Sequence, residues 1–214
     1  MIQVQYFTFN GFQENTYVLS DESKQCIIID PGCGTMNERR MLDEYIKKQD
    51  LTPTRLINTH CHIDHVLGNA YVAEKYKLGL EIHENELKNL KASPGYASVF
   101  GMECEASPEP SNFLEEGDKL VFGLSSLDII FTPGHSPGSV SFYSAIDHFI
   151  VAGDVLFRES IGRADLPGGN LSTLLQSISN KLFTLPSNTI VYSGHGGPTT
   201  IEHEMKYNPF FVQP

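Results

Sequence analysis

No apolar run in these 214 residues approaches the roughly 18 to 20 that a membrane-spanning helix needs. The start, Met1-Ile2-Gln3-Val4-Gln5-Tyr6, has neither the basic n-region nor the apolar h-region of a secretory signal, so a cytoplasmic location is expected and no membrane partner. Basic residues are scarce as well: 15 Lys and Arg against 26 Asp and Glu leave a formal charge of −11. Phosphate backbones need clustered Lys and Arg, so nucleic acid is not expected as a partner. A small anionic substrate is still compatible, because one local Arg can hold it. Cysteine is limited to Cys26, Cys33, Cys61 and Cys104, without a CxxC pair, and free thiols are the simplest reading.

What is present is a cluster. Asn58-Thr59-His60-Cys61-His62-Ile63-Asp64-His65 puts three of the eight histidines and an aspartate within six positions. In an extended segment alternate side chains point the same way, so His60 and His62 can bind one ion together. Asp64 and His65 follow a bend and reach the other side of that ion, or a second one. Imidazole and carboxylate suit zinc, iron or manganese. Cys61 points to the opposite face and reads as a packing residue.

The 40% hydrophobic fraction is globular, and the length suits a single domain over 1–214. Residues 2–9 and 16–19 read as a hairpin around Asn10-Gly11, and 26–30 as a buried strand ended by Pro31-Gly32. A helix over 37–49 with Met41, Leu42, Tyr45 and Ile46 on one face precedes a strand at 55–58, which delivers the cluster. The spacing predicts a helix over 64–77 and a strand at 81–83. Residues 92–112, rich in Pro and Gly, read as a long loop that covers the site. Strands follow at 119–122, 127–131, 139–143 and 149–152. A helix capped by Asn170, a strand at 189–192 and a short helix near 200–206 end the chain.

Three later strand ends repeat the first pattern. His135 follows Pro133-Gly134, Asp154 follows Ala152-Gly153, and His195 sits between Gly194 and Gly196. Small neighbours let the backbone approach an ion closely. That makes seven candidate ligands, more than one tetrahedral ion uses, and two ions bridged by Asp154 would use them all. A closed structural zinc site takes four ligands, often cysteines, so this set fits an open, catalytic site better.

Thr-His-Cys-His-Ile-Asp-His at 59–65, Gly-His-Ser at 134–136, Gly-Asp at 153–154 and Gly-His-Gly at 194–196 resemble the signature of the metallo-β-lactamase superfamily. The resemblance implies an α+β fold, an αββα sandwich of two packed mixed β-sheets with helices on the outer faces and the metal site at one edge. Phe131–Ser139 and Ala152–Gly169 are similar to the glyoxalase II-like branch, the hydroxyacylglutathione hydrolases. Carried over residue by residue, it puts His60, His62, His135 and Asp154 on a first divalent metal and Asp64, His65, His195 and Asp154 on a second. Zinc is expected, with iron or manganese as alternatives. Asp154 stands where β-lactamases carry a cysteine. The chain departs from full-length glyoxalase II in having no C-terminal helical region after His195 and no Lys-Phe-Tyr segment; Ile161-Gly162-Arg163-Ala164-Asp165 stands there instead.

The expected activity is hydrolysis of a small acyl thioester such as S-D-lactoylglutathione by a metal-bound hydroxide, with Asp64 and Asp154 as the catalytic carboxylates. A thiolate leaves without a strong general acid. Arg158 and Arg163 are candidates for a substrate carboxylate, although Arg163 also suits an ion pair with Asp165. His83, His148 and His203 fall outside the pattern. The alternatives are a mononuclear iron persulfide dioxygenase of the same superfamily, a lactonase and a phosphodiesterase. The oligomeric state is left open.

Overall fold

Gln3–Phe9 (β1) and Glu14–Ser20 (β2), the latter buried throughout, pair antiparallel, with Gln3 opposite Ser20 and Phe9 opposite Glu14. Asn10 closes the hairpin at φ 51°, a left-handed conformation that asparagine tolerates because its short side chain bonds locally; its Oδ1 accepts the Phe12 N–H. The structure, a computed structural model, describes residues 1–212. The chain gathers into two compact units, Met1–Leu114 with Val121–Ser126, and Glu115–Leu120 with the chain from Leu127 onward.

The first unit continues through β3 (Gln25–Ile29), α1 (Met36–Lys48), β4 (Thr52–Ile57), α2 (Ile63–Val66), α3 (Asn69–Tyr76), β5 (Leu80–Ile82), α4 (Leu87–Val99) and β6 (Pro110–Phe113). Its six strands lie in the order β1-β2-β3-β4-β5-β6, antiparallel from β1 to β3 and parallel from β3 to β6. Parallel neighbours need a crossover, and α1 supplies the one from β3 to β4. It begins in a capping box: Thr35 Oγ1 accepts the Glu38 N–H and the Glu38 carboxylate accepts the Thr35 N–H at 2.8 Å. Leu42 and Ile46 are buried on its inner side, whereas Met41, expected on that face, is half exposed. Val18, Ile28, Leu56, Val72 and Leu80 join them in one apolar cluster.

Two expectations for this unit need correction. The helix expected over 64–77 is broken into α2 and α3. Gly68 donates its N–H to the Pro31 carbonyl at 2.7 Å, and a Cβ there would come within 2.5 Å of Cys33 Sγ, so the backbone is drawn off the helical path. The loop expected over 92–112 is shorter. α4 runs through Pro94 to Val99, because the Ser93 hydroxyl donates to the Leu90 carbonyl (2.6 Å) that a residue other than proline at 94 would have bonded. Only 100–109 is irregular, and β6 then pairs with β5.

The second unit contains β7 (Lys119–Phe122), β8 (Ser125–Phe131), β9 (Val140–Ser144), β10 (Phe149–Gly153), β11 (Leu156–Phe157), β12 (Ser160–Ile161), α5 (Leu171–Asn180), β13 (Ile190–Ser193), β14 (Thr199–Thr200) and α6 (Ile201–Tyr207), with the tip of the β7–β8 hairpin grouped in the first unit. The sheet order is β14-β13-β10-β9-β8-β7, and β11 and β12 form a separate small ribbon. Asn170 caps α5 as expected, its Oδ1 accepting the Thr173 N–H at 2.9 Å. Leu174 and Ile178 pack with Ile150, Ala152, Leu156 and Val191. Gly134 holds φ 134° against the backbone of Leu174, and its carbonyl accepts the Asn170 N–H at 2.7 Å, so the turn before His135 is fixed by α5.

All four cysteines are free. Burial raises all four thiols, those of Cys26 and Cys33 to about 12 and that of Cys61 well above its ordinary value, but only Cys104 is part-exposed and open to a reagent. The thiolate is the reactive form. A disulfide reagent at pH 8 is therefore expected to label one thiol per native chain rapidly and four after denaturation; rapid labelling of two or more native thiols would contradict this packing.

Candidate metal centre

In the first unit the chain leaves β4 at Ile57 and its next residues carry the histidines. Asp30, at the end of β3 and 1% exposed, organises them. Its carboxylate accepts the Thr59 N–H at 2.7 Å and the Thr59 hydroxyl at 2.6 Å. His65 Nδ1 lies 3.1 Å from Asp30 Oδ2, and His60 Nδ1 lies 3.1 Å from Thr59 Oγ1. A carboxylate only accepts, so Nδ1 of His65 is the donor; the Thr59 hydroxyl is already donating to Asp30, so Nδ1 of His60 donates to it. Each ring is thereby set with its basic lone pair on Nε2, the orientation that outer-shell partners give to metal-binding histidines.

The His60 and His62 rings stand 4.7 Å apart at 89°, those of His60 and His65 4.2 Å apart, and His65 Nε2 is 3.6 Å from Asp64 Oδ2. Asp64 and His65 sit on the single turn α2, fixed by their carbonyls: Asn10 Nδ2 donates to Asp64 O at 3.0 Å and Asn58 Nδ2 to His65 O at 2.9 Å. Cys61 is 1% exposed and lies in the apolar cluster, on the packing side as expected. A cleft of about 390 Å³ in this unit is lined by Asn10, Thr35, Met36, Leu67 and Met102 among others.

In the second unit Asp154 and His195 follow the adjacent parallel strands β10 and β13, and the Gly194 N–H donates to the Gly153 carbonyl at 2.8 Å. Asp154 Oδ2 is 3.5 Å from His135 Nε2 and 3.4 Å from His195 Nε2. His135 Nδ1 donates to the Arg163 carbonyl at 2.7 Å, again leaving the lone pair on Nε2. Gly162 packs against the Asp154 carbonyl, where a Cβ would not fit.

These distances fit a shared cation. Two ligand atoms each about 2.0–2.1 Å from one tetrahedral ion stand about 3.4 Å apart. The three Nε2–carboxylate separations, 3.4, 3.5 and 3.6 Å, cluster there and exceed an ordinary hydrogen bond. The donors are imidazole and carboxylate, with no thiolate among them, which suits zinc, iron or manganese.

The other singled-out residues stand apart from these clusters. The Arg163 side chain is exposed and paired to both oxygens of Asp165 at 2.9 Å, the ion pair weighed in the sequence, while its main chain serves His135. Arg158 is exposed beside a cavity of about 340 Å³ with Pro198, Thr200 and His203. His83 accepts the Asn85 N–H, and His203 bonds Glu159 at 2.9 Å. Sequence reasoning missed Asp30, Thr59 and Asn10, and also Glu14, a fully buried carboxyl 4.0 Å from His65 Nδ1 that burial raises well above the usual carboxylate range despite His65. Of these, Asp30 had a visible signal: an acid directly after Ile27-Ile28-Ile29 at a strand end, the same pattern as Asp154.

Comparison with known proteins agrees with this geometry. The family model of the metallo-beta-lactamase superfamily matches residues 9–195. The probable metallo-hydrolase YqgX of Bacillus subtilis is 43% identical over 92% of this chain and 92% of its own. The hydroxyacylglutathione hydrolase GloC of Haemophilus influenzae is 34% identical over 98% of each. The crystal structure of the BLEG-1 B3 metallo-beta-lactamase superposes with a TM-score of 0.90 at 36% identity, over 99% of this chain and 100% of that one. That of TTHA1623 in a di-iron-bound form gives 0.86 at 34%, over 97% and 100%. The expected α+β, αββα fold class is borne out by these likenesses. Among the described residues no helix is long and apolar enough to cross a membrane.

Proposed function

The chain belongs to the metallo-beta-lactamase superfamily of metal-dependent hydrolases, and from that premise we propose that it hydrolyses small acyl thioesters, S-D-lactoylglutathione among them. The observation that carries the reading is the meeting of His135 and His195 Nε2 on one oxygen of an aspartate, Asp154. A carboxylate bridges two ions readily. The proposed ligands are His60, His62, His135 and Asp154 for one ion and Asp64, His65, His195 and Asp154 for the other. Zinc is the proposed metal; the di-iron form of TTHA1623 supports iron as the alternative.

Such ions, when bound, lower the pKa of water towards neutrality and stabilise negative charge on a carbonyl oxygen. The chain's own groups do the rest. Asp30, Thr59 and the Arg163 carbonyl hold the Nδ1 protons and so keep Nε2 of His65, His60 and His135 basic. Asp64, beside His65, orients the attacking water by accepting a hydrogen bond from it. A thiolate departs without a proton from the protein, consistent with a ligand set that has no further acid. The cleft lined by Asn10, whose side chain also holds Asp64, is of a size for a small acyl group. Of the two arginines, Arg158 is the better candidate for a substrate carboxylate, since Arg163 already grips Asp165. The identity with GloC supports the thioester class.

The likeness to BLEG-1 favours β-lactam hydrolysis as a second reading. Metal-loaded protein assayed in parallel with S-D-lactoylglutathione, a chromogenic cephalosporin, and a persulfide with oxygen uptake decides. The proposal predicts the highest kcat/KM for the thioester. A higher value for either other substrate overturns it.

A further inference from the structure

Residues 58–62 belong to no helix or strand; Asn58 still donates its N–H to the Glu81 carbonyl at 3.1 Å, but the amides of Thr59 and Cys61 need acceptors elsewhere. Two buried carboxylates provide them. Asp30 takes the Thr59 N–H, and Glu86 Oε2 takes the Cys61 N–H at 2.8 Å. Glu86 ends the 3-10 turn Glu84–Glu86 directly after β5 and is 0% exposed. Its Oε2 also accepts from Asn89 Nδ2 at 3.1 Å.

The place of that hydrogen bond matters. The Cys61 amide lies midway between His60 and His62, and the Cys61 side chain is locked in the apolar cluster on the other side. Rotation of this one stretch of backbone would swing both rings out of their perpendicular arrangement at 4.7 Å. A buried carboxylate is a costly acceptor for such N–H groups, because the ion loses its water. It gains a charge-assisted bond, shorter and stronger than a neutral one, at the point where the two ligands diverge.

We propose that Glu86 is a positioning residue for the ion held by His60 and His62, acting through the Cys61 amide. This rests on the reading that those histidines bind metal. Glu86 is at the far end of β5, more than twenty positions from the cluster, and reaches it because β5 lies beside β4 in the sheet. Outer-shell partners of metal ligands are typically worth 10- to 100-fold in affinity.

The test is zinc affinity of the full chain, measured by competition with a chromophoric chelator, for the wild type and three variants, with the thermal midpoint of each metal-free protein recorded alongside. Glu86→Gln keeps an acceptor oxygen at the same reach and is expected to stay within about threefold of the wild type. Glu86→Leu removes the acceptor, and Glu86→Asp keeps the charge but withdraws it by one methylene; each is expected to lose about 10- to 100-fold at one site. If Glu86→Leu does not fold, the Asp and Gln pair carries the comparison. Wild-type affinity in Glu86→Asp, or equal loss in Glu86→Gln and Glu86→Asp, overturns the proposal. A wild type that binds no zinc would instead overturn the metal reading itself.

Discussion

Replacing Asp154 with alanine is expected to cost metal and turnover together, lowering bound metal to one ion or fewer per chain and kcat/KM by at least about a hundredfold. Asp154 is the one residue proposed for both ligand sets. Its Oδ2 lies 3.5 Å from His135 Nε2 and 3.4 Å from His195 Nε2, so its removal leaves those two imidazoles without the carboxylate they converge on. Truncating a ligand that served one ion alone would lower occupancy at that ion first. A bridging residue should lower both. Metal analysis by mass spectrometry and steady-state kinetics on the same preparation read this directly. Near-normal content with lost activity would make Asp154 a group acting on substrate instead, and near-normal values of both would remove it from the centre.

The second large effect is expected at Asp30 and is one of stability. Asp30→Ala is predicted to destabilise the metal-free protein by about 3–5 kcal/mol, the range for breaking a buried hydrogen-bonded charge. The carboxylate accepts from the Thr59 N–H, the Thr59 hydroxyl and His65 Nδ1, with Asn58 Nδ2 at 3.4 Å, and Thr59 and His65 are both buried. Alanine would leave these donors facing a void. Urea denaturation of chelator-treated protein measures the loss without any contribution from bound metal. A change below about 1 kcal/mol would mean that water or a neighbour such as Glu14 takes over these donors.

Much of the fold was legible in the sequence, for physical reasons that also explain the exceptions. Runs such as Ile27-Ile28-Ile29 and Ile150-Val151-Ala152 announce buried strands because nothing else accommodates them, and all six residues are buried. The Asn170 cap was readable because Asn at that position has one preferred use. The split of the helix over 64–77 was not readable, because it depends on Gly68 meeting Pro31 and Cys33, residues far away in sequence. The continuation of α4 through Pro94 was hidden for a similar reason: Pro and Gly normally mark loops, and the compensating Ser93 hydroxyl becomes visible only in three dimensions. β6, β11, β12 and β14 are two to four residues long, too short to carry a period.

The candidate centre divides along the same line. Residues proposed to bind an ion must expose lone pairs at strand ends, and that requirement is written locally, at His60, His135, Asp154 and His195. Residues that hold those ligands in place have no such local demand. Asn10 reaches Asp64 from the first hairpin, and Glu86 reaches Cys61 from the 3-10 turn that follows β5, each through a single hydrogen bond that no spacing rule predicts.

The measurement that bears most directly on the proposed function is metal stoichiometry and turnover of S-D-lactoylglutathione on one preparation, before and after chelation and after adding metal back. Two ions per chain, loss of turnover as they are removed and recovery on reloading are expected. One ion per chain, with no thioester turnover and oxygen uptake in the presence of a persulfide, would contradict the proposed function.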